Sequence, residues 1–176
     1  ALDKRIVRVE GSKWYDTRPY TVKLEAARRV GYQTVSIVLV RDGHYRAHIA
    51  DWVAALEASF VRKAAARQLE NVQLEIRIIG HNATLAELEN APGSGCEAGV
   101  MAIFTSPSQS RSTEAAKLLN PDLLHLPLTP HEPMPTFAFP FSPPEMERGA
   151  LYEFCLHHTL TLDDPMSAFC LNTMEI

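Results

Sequence analysis

Hydrophobic and polar positions along this chain change period several times. Val72-Gln73-Leu74-Glu75-Ile76-Arg77-Ile78 alternates strictly, as a half-buried strand does when successive side chains point to opposite faces. Gly80 ends that run. Upstream, Ile49, Trp52, Val53, Leu56, Phe60, Ala64 and Leu69 recur at helical spacing within Tyr45–Leu69, and Arg46, Asp51, Glu57, Lys63 and Arg67 occupy the opposite side. This predicts an amphipathic helix packed on a sheet, after a break at Asp42-Gly43. Gly99–Phe104 is almost continuously apolar and reads as a central strand covered on both faces.

Shorter signals fill the gaps. Ile6–Glu10 reads as a strand and Gly11–Pro19 as a polar loop. Tyr20–Val30 and Tyr32–Val40 read as two strands broken at Gly31. Thr84-Leu85-Ala86-Glu87 has the form of a capping box opening a short helix, followed by a loop at Ala91–Gly95. Ser106-Pro107-Ser108-Gln109 combines a cap, a proline at the first helical position and a glutamine at the third. That helix is expected to end by Asn120, because Pro121 follows. Residues 127–144 are proline-dense, but Phe137, Phe139 and Phe141 favour an ordered loop packed on the domain.

A last strand over residues 152–162 completes a β-α-β-β-α-β order. The fold class implied is α/β (α+β): a two-layer sandwich of ferredoxin-like kind, a mixed sheet with helices on one face and extra N-terminal strands. In the last strand Tyr152, Phe154, Leu156, His158 and Leu160 share one face, which reads as core. Glu153, Cys155, His157 and Thr159 share the other.

Composition narrows the class without changing this picture. The 176 residues suit one domain, and a net charge of −4 gives no electrostatic reason to expect nucleic acid or an anionic membrane. No apolar run approaches the roughly 20 residues of a membrane-spanning helix, and no signal-peptide core is present, so a cytoplasmic location is expected. The chain starts at Ala1 without a methionine, which suggests a fragment or a processed chain. Cys96, Cys155 and Cys170 are odd in number and lack CxxC spacing, so they read as reduced thiols.

Two places could carry chemistry. At the helix start, Ser106, Ser108, Gln109 and Arg111 offer donors and charge to an anion such as a carboxylate or phosphate. The bland reading is an ordinary helix cap. On the last strand Glu153 and His157 could move protons, although their Cα atoms are roughly 13 Å apart at about 3.3 Å per residue. Here the bland reading is a solvated strand face. His44 and His48 are four apart but lack a zinc motif, so no metal is expected. His81, in a Gly-His-Asn turn, is a candidate rim residue.

Four passages resemble the AtuA-like family, named for acyclic terpene utilisation, in its C-terminal part. They are Val30-Gly31-Tyr32-Gln33-Thr34 through Val40-Arg41-Asp42, Gly99 through Ser106-Pro107-Ser108-Gln109, Leu123-Leu124-His125, and Phe139-Pro140-Phe141-Ser142-Pro143 with Tyr152-Glu153-Phe154. Met134-Pro135-Thr136-Phe137 departs from the small-residue turn usual in that family. The resemblance implies a role in catabolism of branched or terpene-derived acids or acyl-CoAs.

Two functional readings follow. The first is a C-terminal assembly or substrate-completing domain that forms a homo-oligomer or joins a missing N-terminal domain or partner subunit. Trp14, Tyr15 and Phe137 are then the expected interface residues. The second is a hydratase or related lyase acting on a carboxylate or CoA thioester, with Glu153 and His157 as acid and base and no cofactor of its own.

Overall fold

The computed structural model describes residues 8–13, 15, 19–88 and 95–169. Among the described residues four strands and three α-helices follow in the order β1 (Thr21–Val40), α1 (Gly43–Ala47), α2 (Ile49–Ala66), β2 (Gln73–Ile79), β3 (Ala98–Ser106), α3 (Gln109–His125) and β4 (Glu145–Thr161). This is the β-α-β-β-α-β order expected, with strands arranged β2-β3-β1-β4. The sheet is antiparallel rather than mixed, β3 pairing antiparallel with both β1 and β2. The chain divides into two compact units, residues 28–153 and residues 1–27 with 154–176.

The larger unit holds the core. Register places Leu74, Phe104 and Thr34 in one row, Ile76, Ala102 and Ser36 in the next, and Ile78, Val100 and Val38 in a third. These rows face the helices, because alternate residues of each strand share a side. Trp52, Leu56 and Phe60 of α2 and Ala115, Ala116, Leu119 and Leu123 of α3 pack upon them. Ser59 Oγ and Lys63 Nζ each donate to the Asp122 carboxylate at 2.7 Å, tying α2 to α3. Phe137 and Phe139 pack against the same core, so residues 127–144 form an ordered loop as expected.

The helical spacing over 45–69 resolves into two helices. The Asp42 carboxylate caps α1, accepting from the His44 and Tyr45 amides at 2.8 and 3.1 Å, so Gly43 opens the helix instead of breaking it. The chain breaks again at His48, and α2 ends at Ala66. Leu69 still reaches the core from the following turn, where Gln68 and Asn71 adopt positive φ. Its place in the spacing therefore reflects burial rather than helix.

Other expectations need correction. β1 runs unbroken through Gly31, and the extra N-terminal strand is simply its first half. A Cβ at Gly31 would lie 2.8 Å from the Ser106 carbonyl oxygen, so glycine is required there for close approach of two strands. Residues 8–10 are irregular, and Ile6 and Val7 lie outside the described residues. Thr84–Glu87 forms turns and a short 3-10 segment at Ala86–Leu88 instead of a capped α-helix. Residues 91–94 of the expected loop lie outside the description.

α3 begins two residues later than expected, with Ser108 rather than Ser106 as N-cap, and passes through Pro121 to His125. A proline inside a helix removes one hydrogen bond. Buried Leu119 and Leu123 on either side, together with the Asp122 contacts, hold the helix through it.

Residues 19–27 and 154–169 make up most of the described part of the smaller unit. Leu162 N–H donates to the Tyr20 carbonyl at 2.9 Å, and Cys155 Sγ approaches the Ala26 carbonyl at 3.5 Å. The two strand segments thus form a two-stranded antiparallel ribbon. No α-helix covers it among the unit's described residues.

Replacing Gly31 with Ala should lower unfolding free energy by about 1–3 kcal/mol, because backbone must shift to admit the methyl group. Gly43→Ala, whose Cβ meets nothing within 4 Å, should instead raise it by about 0.5–1 kcal/mol in a helical position. Urea midpoints of the two variants should fall on opposite sides of the parent.

Candidate functional site

The predicted anion residues do gather at the start of α3, but their polar groups are engaged with one another. Buried Ser106 donates its hydroxyl to the Ser108 carbonyl at 2.6 Å, and Ser108 Oγ accepts from the Arg111 amide at 3.4 Å. Gln109 Nε2 reaches Thr34 Oγ1 at 2.8 Å and the Gln33 carbonyl at 3.2 Å. Its Oε1 accepts from the Gly149 amide at 3.1 Å. The glutamine side chain therefore fastens α3 to β1 and β4. Arg111 donates to the Glu70 carbonyl at 3.1 Å. A small opening of about 260 Å³ touches Ser106 and Pro107 from the side of Val30 and Asn71–Gln73.

Glu153 and His157 take separate partners. In the larger unit Glu153 Oε2 accepts from Arg28 Nη2 at 3.0 Å, with both side chains exposed. In the smaller unit His157 Nδ1 lies 3.9 Å from the Glu25 carboxylate. All residues from 152 to 161 are exposed, so neither strand face is core. Apolar alternation fixes which side chains share a face, not whether that face is buried. A ribbon lacking a helical layer has nothing to bury either side. His158 accordingly has no core role.

Among the expected interface residues, Tyr15 is exposed and Trp14 lies outside the described residues. Phe137 is half-buried, edge-on to Tyr45 and Trp52 with ring centroids 5.0 Å away in each case, and belongs to the core margin. Cys96 and Cys155 are exposed free thiols, and Cys170 is not described. Among the described residues no group of three His, Cys, Asp or Glu could hold a metal ion.

A wider concavity lies elsewhere in the larger unit, where the end of β1, helix α1 and the proline-dense loop converge. It encloses about 750 Å³, within the usual range for small-molecule sites. Leu39, Tyr45, Met134, Pro135 and Phe137 supply apolar wall, Arg41, Asp42, Glu97 and Glu132 supply charge, and His44 adds an imidazole. His44 Nε2 is 3.3 Å from Glu132 Oε1. A carboxylate oxygen only accepts, so Nε2 is the protonated nitrogen in this contact. The His44 and His48 rings lie 5.1 Å apart. A second hollow of about 250 Å³ is lined in part by Arg46 and His81.

Sequence reasoning singled out His44 only as half of a metal pair and missed Glu132. The two are brought together by the fold, not by spacing. The only local hint was a carboxylate set among prolines in Pro130-His131-Glu132-Pro133.

Gln109→Ala should cost about 1–3 kcal/mol, since it leaves buried Thr34 and the Gly149 amide short of partners. Faster hydrogen exchange at Gly149 should accompany the loss. Glu153→Gln, in an exposed pair, should change stability by under about 0.5 kcal/mol in the same denaturation assay.

Comparison with family models, with curated proteins and with solved structures finds no match to this chain.

Proposed function

We propose that the chain is an assembly domain: the C-terminal domain of an AtuA-like protein, or a subunit in its place, that completes a larger metabolic protein. The observation that carries this reading is the ribbon of the smaller unit. Phe154, Leu156 and Leu160 are 57, 43 and 43 % exposed, and Leu24 on the neighbouring strand is also open. A two-stranded ribbon alone in water is marginally stable. Large apolar side chains held open along a strand edge invite pairing with another chain.

Full burial of a Leu or Phe gains about 1.5–3 kcal/mol. Three such residues supply a gross gain large enough to count against the several kcal/mol that association costs. The sequence resemblance adds the metabolic setting, catabolism of branched or terpene-derived acids or acyl-CoAs. It adds no residue roles beyond the passages that carry it.

Sedimentation and light scattering on the chain, alone and with the remainder of its parent protein or its partner subunit, test the reading. A stable complex or homo-oligomer is expected. Phe154→Asp combined with Leu156→Asp should dissociate it while leaving the circular dichroism of the larger unit unchanged. A chain that stays monomeric and binds neither itself nor its partner at micromolar concentrations would sink the proposal.

A further inference from the structure

The ribbon of the smaller unit has two edges, and they are guarded differently. Its β1 strand carries Lys23 and Glu25, paired with each other. Charged side chains on an edge strand discourage a further strand from adding there. β4 is the outermost strand in the sheet order and runs on to Thr161. Its segment Phe154–Thr161 holds no Lys, Arg, Asp, Glu, Pro or Gly. Every residue of that segment is exposed. Unpaired N–H and C=O groups along such an edge are a template for another strand. Apart from the Cys155 thiol, the ionisable groups of the segment are His157 and His158.

The positions of these two histidines matter. The midpoint of Phe154–Thr161 falls between them. Two copies of the segment, paired antiparallel about a two-fold axis, match the most residues when the axis passes through His157 or His158. Either register sets one of these histidines directly opposite its own counterpart. Phe154, Leu156 and Leu160 then line one face of both strands together. Neutral imidazoles fit this pairing, whereas like charges directly opposite destabilise a strand pair.

We infer that the β4 edge pairs with the β4 edge of a second copy of this chain, and that protonation of His157 and His158 opens the pair. The inference rests on the reading of the ribbon as the assembly element, and it names the partner and the control. The β1 groups that face the histidines are Glu25, whose Oε1 is 3.9 Å from His157 Nδ1, and Lys23, which shares that oxygen. One carboxylate already shared with a lysine does not neutralise two imidazolium groups on each strand. The dimer therefore forms where the imidazoles are neutral and is lost as the pH falls and they gain charge. Association stops at two copies, because Lys23 and Glu25 guard the other edge of the ribbon.

Sedimentation velocity of the full chain at about pH 7.5 and about pH 5.5 spans the range in which imidazoles change charge, with circular dichroism to show that the larger unit stays folded at both. A dimer is expected at the higher pH, weakened about tenfold or more at the lower. Hydrogen exchange at the higher pH should show protection of Phe154–Thr161 amides that rises with protein concentration. The pair His157→Asn and His158→Asn should dimerise equally at both pH values, and His157→Lys with His158→Lys should be monomeric at both. A chain that is monomeric at the higher pH, yet joins the remainder of its parent protein through Phe154 and Leu156, overturns this inference and leaves the assembly reading standing. So does a dimer equally tight at both pH values, one that the lysines leave intact, or one whose asparagine variant still dissociates at the lower pH. A chain that joins nothing under any of these conditions overturns both.

Discussion

The indole of Trp52 is the contact on which the larger unit depends. It is fully buried on α2, and its Nε1–H donates to the Leu126 carbonyl at 2.9 Å, just past the end of α3. Phe137 of the proline-dense loop and Tyr45 of α1 stand edge-on to the same ring. One side chain thereby joins two helices, the loop and the helix that begins the crossover. A buried indole must find an acceptor, and the end of α3 offers the free carbonyls that every helix C-terminus leaves. Since His44 precedes Tyr45 and Glu132 lies in the loop that carries Phe137, this packing also sets the geometry of the charged cavity.

The start of α3 gathers a donor-rich stretch of sequence into a packed polar junction. Thr34, Ser36, Ser112 and Ser106 are buried polar residues on the helix-facing side of the sheet and on α3. Buried hydroxyls need partners, and Gln109 supplies one through Nε2, while its Oε1 accepts from the Gly149 amide. Ser112 Oγ and Thr113 Oγ1 return hydrogen bonds to the Gln109 carbonyl at 2.9 Å each. Ser36 Oγ remains without a partner among the described residues, so the network is dense without being complete. Its side-chain donors serve the junction of α3 with β1.

What could be read from the chain follows from which interactions are local. The alternation over Val72–Ile78 and the spacing of Trp52, Leu56 and Phe60 report burial on one side, and the fold buries those residues. The order of elements followed, and with it the two-layer sandwich. Pro121 misled because a local rule about helix ends was overridden by Leu119, Leu123 and Asp122, whose partners lie far away in sequence. Gly31 misled in the same manner: its lack of a side chain answers to Ser106 across the sheet rather than to a turn. The His44–Glu132 contact spans 88 positions and rests on tertiary packing, so no spacing rule could have found it.

The ribbon marks the limit of reasoning from periodicity. Phe154, Leu156 and Leu160 carry the pattern of a core strand, and a core strand is what they would become if a second surface covered them. Hydrophobic pattern reports that a face is to be buried, without saying whether the cover comes from the same chain. In the larger unit α2 and α3 provide that cover, and the same alternation in Leu74, Ile76 and Ile78 meets it within the fold. In the smaller unit the described residues contain no α-helix to do so. The same physical rule therefore yields a core in one place and an open apolar face in the other, and the difference between them is the presence of a helical layer.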